Sequence, residues 1–207
     1  MGISLQLFNK YNKIKTLFNS NMTLLELGDQ DICFNPHYGK KFRNSNEKFF
    51  YKDWKTLDLH ERNGVTIKDL SILNNDIGKW DIITNFGTSE HVEPEVGHYN
   101  CWKNIHNWLF LGGYSIHELP EVGAWPNHCR YYYNEDFFNH FTKIGYEIIE
   151  NSTIFYEDNG NLRFCIMKKI KDISFFSNLF FDKIVHIEKN NTSITINPEN
   201  NPKGLIF

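Results

Sequence analysis

Five short apolar or β-branched runs, each closed by turn-forming or acidic residues, constrain this chain more than any other feature. They lie at Thr23–Leu27, Lys55–Leu59, Val65–Lys68, Asp81–Asn85 and Tyr114–Glu118, with stretches long enough for crossovers between them. Strands spaced in this way pair side by side in an open α/β sheet. Helices are expected at Asn46–Asp53 and at His98–Leu111, where Tyr99, Trp102, Ile105, His106 and Leu109 share a face. A further helix starts at Asn134, an N-cap residue before the acidic Glu135-Asp136, and stops at Gly145.

Beyond Gly145 the pattern alternates. Tyr146–Tyr156 and Leu162–Ile170 flank Glu157-Asp158-Asn159-Gly160, which predicts an antiparallel hairpin at the sheet edge. At the other end, Leu5, Leu7, Phe8, Tyr11 and Ile14 fall at helical spacing among Lys10, Lys13 and Lys15, as in an amphipathic helix and not a signal peptide. The expected fold class is α/β: a Rossmann-like, seven-stranded, mostly parallel sheet with a C-terminal antiparallel hairpin and helices on both faces. Residues 1–170 form the domain, and residues 171–207 an extension packed on it, with aromatic Phe175, Phe176, Phe180 and Phe181 and strand-like pieces around Ile194–Ile196.

Charge narrows the partners. Lys+Arg 22 against Asp+Glu 25 leaves a net charge of −3, with no basic excess for nucleic acid or anionic lipid. Apolar runs such as Trp108-Leu109-Phe110-Leu111 fall far short of the ~20 residues that span a bilayer. Cys33, Cys101, Cys129 and Cys165 are scattered, without a C-x-x-C pair, so reduced thiols and a cytoplasmic location are expected.

Chemistry gathers at the strand ends. Leu24-Leu25-Glu26-Leu27-Gly28 carries a strand into a Glu-x-Gly turn followed by Gln30. Asp58 ends the second strand, where one carboxylate can accept bonds from both hydroxyls of a ribose. Asp69-Leu70 follow the third, Asn85-Phe86 close the fourth, and Phe110-Leu111-Gly112-Gly113 precede the fifth. In this order the pieces resemble the class I S-adenosylmethionine-dependent methyltransferases, from about Met22 to Lys169. The resemblance implies that Glu26 and Gly28 line the methionine part of S-adenosylmethionine, Asp58 the ribose, Asp69 and Leu70 the adenine, and Asn85 and Phe86 the wall beside the sulfonium. Gln30 stands where that family has a second glycine, and its amide is expected to reach the cofactor instead.

Methyl transfer to an alcohol needs a base. Glu90-His91 follow the fourth strand, and His117 and His128 flank the end of the fifth, so all four are candidates, with a histidine as base and Glu90 orienting it. Glu90-His91 also resembles the second half of the Glu-x-x-Glu-His motif of metal-dependent O-methyltransferases, although Gly87 occupies the first glutamate's position. That alternative gives Glu90 and His91, with His117 or His128, to a divalent metal ion. Trp125, Arg130 and Tyr132, in a loop rich in aromatic residues, are candidates for binding the substrate. The expected activity is methyl transfer to a hydroxyl, on a sugar of a glycan, with the aromatic extension suited to docking on glycan-assembly enzymes. The alternatives are a phenolic small-molecule acceptor, or a scaffold protein that binds the cofactor without catalysis.

Overall fold

The computed structural model describes residues 2–156 and 160–187, apart from the side chain of Phe49. In chain order the elements are α1 (Leu5–Ile14), β1 (Thr23–Leu27), β2 (Asp53–Asp58), β3 (Thr66–Ile67), β4 (Trp80–Phe86), α2 (Glu95–Trp108), β5 (Leu109–Pro120), β6 (Tyr131–Tyr132), α3 (Glu135–Asn139), β7 (Tyr146–Tyr156), β8 (Gly160–Lys169), α4 (Asn178–Ile184) and β9 (His186–Ile187). Seven strands form one sheet in the order β3-β2-β1-β4-β5-β8-β7. The first five are parallel, while β8 and β7 join as the antiparallel pair expected at the edge. The hairpin's turn residues Glu157-Asp158-Asn159, and the strand-like pieces around Ile194–Ile196, lie outside the described residues.

Strand periodicity divides the core between two faces. Leu24, Ile82, Ile116 and Phe164 turn towards α1 and meet Leu7, Tyr11 and Ile14, whereas Leu25, Ile83, Cys165 and Met167 turn towards α2 and meet Trp102, Ile105 and Trp108. Phe176 and Phe181 join this second cluster, so the described part of the extension is packed into the domain.

Three expectations about helices change. Residues 28–52 form no α-helix: a chain with Pro36, Gly39 and few apolar residues at helical spacing makes only 3-10 turns, at Phe42–Asn44 and Asn46–Phe50. Phe42 fills the place of a packed helix, with ring centroids 5.4 Å from Tyr11, 5.0 Å from Trp54 and 6.4 Å from Phe86. Next, α2 begins three residues before the expected start, behind Pro94, and Leu109-Phe110-Leu111 belong to β5 instead. The third expected helix is capped as read, with Asn134 Oδ1 accepting from Phe137 N at 2.9 Å, but tightens to a 3-10 turn over His140–Ile144 before Gly145 closes it at φ 87°.

Cys33, which is exposed, and Cys101 and Cys165, which are buried, are free thiols. Among the described residues no helix is long and apolar enough to cross a membrane.

Candidate active site

The site begins at Gly28, where β1 leaves the sheet at φ 75°, a left-handed conformation that suits glycine. A Cβ there would fall 2.5 Å from Thr88 Oγ1 and 2.6 Å from Gln30 Nε2. Thr88, from the loop after β4, donates to Leu27 O at 2.8 Å and accepts from Gln30 Nε2 at 3.2 Å. The other end of that amide, Gln30 Oε1, is buried and has no hydrogen-bond partner among the described residues.

Asp58 stands at the end of β2 and accepts from the backbone N–H groups of Asp29 and His60, both at 3.0 Å. Burial works against the charge of neighbouring Asp29, yet Arg43, Lys41 and Arg62 around it hold its carboxyl below the usual range. This knot ties the irregular segment after β1 to the loop after β2. Its four residues are scattered in sequence, which is why no motif announced it. Asp69 is exposed after β3 and accepts from Ser71 N at 2.8 Å, while Leu70 is buried in the core.

Glu26 sits deeper than expected. It is fully buried and accepts from Thr56 Oγ1 at 2.8 Å and Trp54 Nε1 at 3.2 Å. Burial pushes its carboxyl up to about 8.

A second group forms beyond β4. Asn85 caps the turn Ser89–His91, accepting from Ser89 N at 3.1 Å and donating to Ser89 Oγ at 2.9 Å. The turn drives Glu90 inward, fully buried, with neither carboxylate oxygen hydrogen-bonded among the described residues. His91 keeps one edge in solvent, and its ring centroid lies 5.1 Å from that of His128. Ligating atoms of Glu90, His91 and His128 all lie within 4.8 Å of one another. Desolvation raises Glu90 to about 7, and desolvation followed by the neighbouring His128 lowers His91 to about 3. His91 Nε2 is 3.7 Å from Glu90 Oε1, beyond hydrogen-bond reach, so Glu90 does not orient the imidazole as expected. With these values the carboxylate, not the imidazole, is the group suited to take a proton near neutral pH.

Several candidates have their side chains engaged within the fold. His117 is fully buried against Trp102 at 4.8 Å, bonded to Asn85 and apart from the other three. The Asn85 side chain is committed to Ser89 and His117, and Phe86 packs on Tyr11 and Phe42, so neither side chain forms an exposed wall. Arg130 is paired with Glu95, and the Tyr132 hydroxyl donates to Trp125 O at 2.8 Å, so the latter supports the loop. Trp125 stands at the site, 5.4 Å from His128 between ring centroids. Glu118, which lies beside His117 in the sequence but was given no role from it, is buried, raised to about 8 by desolvation, and accepts from Tyr156 OH at 3.1 Å.

These buried groups set a pH optimum for stability. Glu26, Glu90 and Glu118, raised in the folded state, stabilise below the ~4.3 of an unfolded glutamate and lose that contribution as pH rises through about 7 and 8. The imidazoles of His91, His98 and His117, held by desolvation at about 3, and that of His106 at about 4, act oppositely. Their contribution is present above 6.5 and lost as pH falls. The two sets oppose each other in between, so the thermal midpoint should peak near ~6.5. A midpoint still rising at alkaline pH in scanning calorimetry would contradict these assignments.

No protein-family model and no curated protein matches the sequence. Solved structures do match the fold. The N-methyltransferase NodS from Bradyrhizobium japonicum WM9 superposes with a TM-score of 0.59 at 10% identity, over 80% of this chain and 96% of that one. The 1,6-didemethyltoxoflavin-N1-methyltransferase of Burkholderia thailandensis, solved with 1,6-didemethyltoxoflavin and S-adenosylhomocysteine, gives 0.56 at 12% identity, over 77% and 76%. The chain has the class I methyltransferase fold. A third structure with this fold, the magnesium protoporphyrin IX methyltransferase of Synechocystis PCC 6803 with bound S-adenosylmethionine, gives 0.54 at 12% identity, over 79% and 78%. In the present chain, Thr88 joins the two halves of the candidate site: it bonds to the Gly28 turn and lies two residues before Glu90.

Proposed function

We propose that this protein transfers a methyl group from S-adenosylmethionine to a hydroxyl oxygen, on a sugar of a glycan. The observation that carries this reading is the junction at Thr88, which bonds to the glycine turn and stands two residues before Glu90, Gln30 Oε1 and the buried Glu90 carboxylate both lacking hydrogen-bond partners among the described residues. The residues suit the cofactor: Gln30 Oε1 is an open acceptor for its amino group, Asp58 retains lone pairs for ribose hydroxyls, and Asp69, exposed after β3, can meet adenine.

When bound, S-adenosylmethionine would supply an activated methyl group, with its sulfur as the leaving group. The chain must orient the acceptor and receive the hydroxyl proton. Glu90 takes that proton on a carboxylate oxygen, its raised value matching it to a general base near neutral pH. His91 and His128, held neutral by desolvation, wall the acceptor and leave the carboxylate as the only charge of this trio.

One observation favours a metal-assisted variant. A carboxylate and two neutral imidazoles within 4.8 Å fit a divalent ion of the kind that takes N and O ligands, held by Glu90, His91 and His128. Such an ion would supply Lewis acidity towards the acceptor oxygen.

The test is transfer of labelled methyl to glycosides and catechols, with and without chelator. Label on a glycoside in both arms supports the metal-free reading, and chelator-sensitive label supports the variant. Label on catechols alone would move the acceptor to phenols. Cofactor bound without transfer to any hydroxyl would point to a scaffold protein. In the same assay Asp58→Ala should weaken cofactor binding by ~1–3 kcal/mol, the usual cost of a lost charged hydrogen-bond partner. Unchanged affinity by titration calorimetry would remove Asp58 from the site.

A further inference from the structure

We propose that Trp125 receives a second oxygen of the acceptor, so that the substrate is a sugar with two adjacent oxygens and not an isolated hydroxyl; this deepens the function proposed above and rests on it. Trp125 has φ 50° and Asn127 φ 63°, two left-handed non-glycine residues in the loop that ends at His128. Such backbone persists only where surrounding contacts impose it. Here Tyr132 OH and His128 N both donate to Trp125 O, at 2.8 and 3.0 Å. Ala124 is pressed onto Gly160, where a Cβ would lie 2.8 Å from that of Ala124.

The outcome is an indole held between His128, at 5.4 Å, and Tyr156, at 6.5 Å between ring centroids. Trp125 Nε1 is buried and has no hydrogen-bond partner among the described residues. An indole N–H only donates, so its complement is an oxygen acceptor and not an ammonium group. Glu90, with a carboxylate oxygen within 4.8 Å of a His128 ring nitrogen, offers the opposite: two buried oxygens that only accept while ionised. Leaving either group dry and unpaired is costly, and a ligand with one O–H and one neighbouring oxygen satisfies both. Adjacent oxygens on a pyranose ring meet this requirement, and the indole face beside them offers apolar contact to its C–H groups.

The experiment measures equilibrium binding to the full chain of the methyl glycosides of mannose, galactose and rhamnose, and of their monodeoxy analogues. At least one intact glycoside should bind ~10-fold or more tightly than the analogue lacking one hydroxyl of the pair, because a site built to bond an oxygen rejects ligands without it. Trp125→Phe keeps the aromatic ring, removes the N–H and should abolish that difference, with cofactor affinity and thermal midpoint as in the parent. Intact and deoxy glycosides binding equally to the parent would overturn the proposal, whether or not the variant folds. So would a Trp125→Phe protein that retains the difference, or no binding of any glycoside. Because binding is read directly, a glycoside preference lost in Trp125→Phe without any methyl transfer would uphold the subsite and refute the transfer reaction.

Discussion

Glu90→Gln should lower methyl transfer by about a thousand-fold, within the range that a general base contributes, while leaving cofactor affinity unchanged. The substitution is nearly isosteric and the site is fully buried, so packing is conserved. What disappears is the ability to accept a proton. In the parent, kcat should rise as pH passes through about 7, because burial holds the carboxyl protonated below that point and only the ionised form is a base. The residual activity of the variant should lack this rise. Glutamine also carries no charge to desolvate, so the variant should lose less stability than the parent on going from pH 6 to pH 9. A rate within tenfold of the parent in the labelled-methyl assay would show that another group takes the proton.

Trp102→Ala should destabilise the fold by ~3–5 kcal/mol, the usual cost of emptying a large aromatic site in a core. Trp102 is fully buried and meets His117 at 4.8 Å, Phe137 at 5.0 Å, Phe141 at 5.4 Å and Tyr133 at 5.7 Å between ring centroids. Its indole also donates to His98 Nε2 at 3.1 Å. That nitrogen is therefore unprotonated, and the Tyr133 hydroxyl donates to it at 2.7 Å while accepting from Ser89 Oγ at 3.1 Å. The hydrogen-bonded chain thus runs from α2 to the turn carrying Glu90. Against a total of ~5–15 kcal/mol for an ordinary domain, this loss leaves little reserve. A change below ~1 kcal/mol in urea denaturation would mean that the site collapses around the alanine or that the ring is less enclosed than described.

The solved structures with this fold include two N-methyltransferases, whereas the present site pairs a near-neutral carboxylate with neutral imidazoles and an indole N–H. The proposal of an oxygen acceptor rests on those side chains, because a fold hosts many chemistries and the site selects among them.

The legible features were local. Leu24 and Leu25, or Ile82 and Ile83, alternate between the two faces because successive strand residues point apart, and Asn134 and Gly145 bound their helical segment through their own backbone chemistry. The Glu-x-Gly turn and the adjacency of Glu90 and His91 could likewise be read directly. Tertiary structure decided the rest. His117 and Glu118 are neighbours in sequence, but alternation sends one into the core beneath α2 and the other towards Tyr156, and the chain alone does not say which face borders the site. The missing helix after β1 is compensated by Phe42 and by a knot of Asp29 with Lys41, Arg43 and Arg62, drawn from three separate places in the chain. The raised proton affinity of Glu90 and the lowered one of His91 came from desolvation by residues distant in sequence. Backbone propensity depends on near neighbours, whereas burial and proton affinity depend on everything that excludes water.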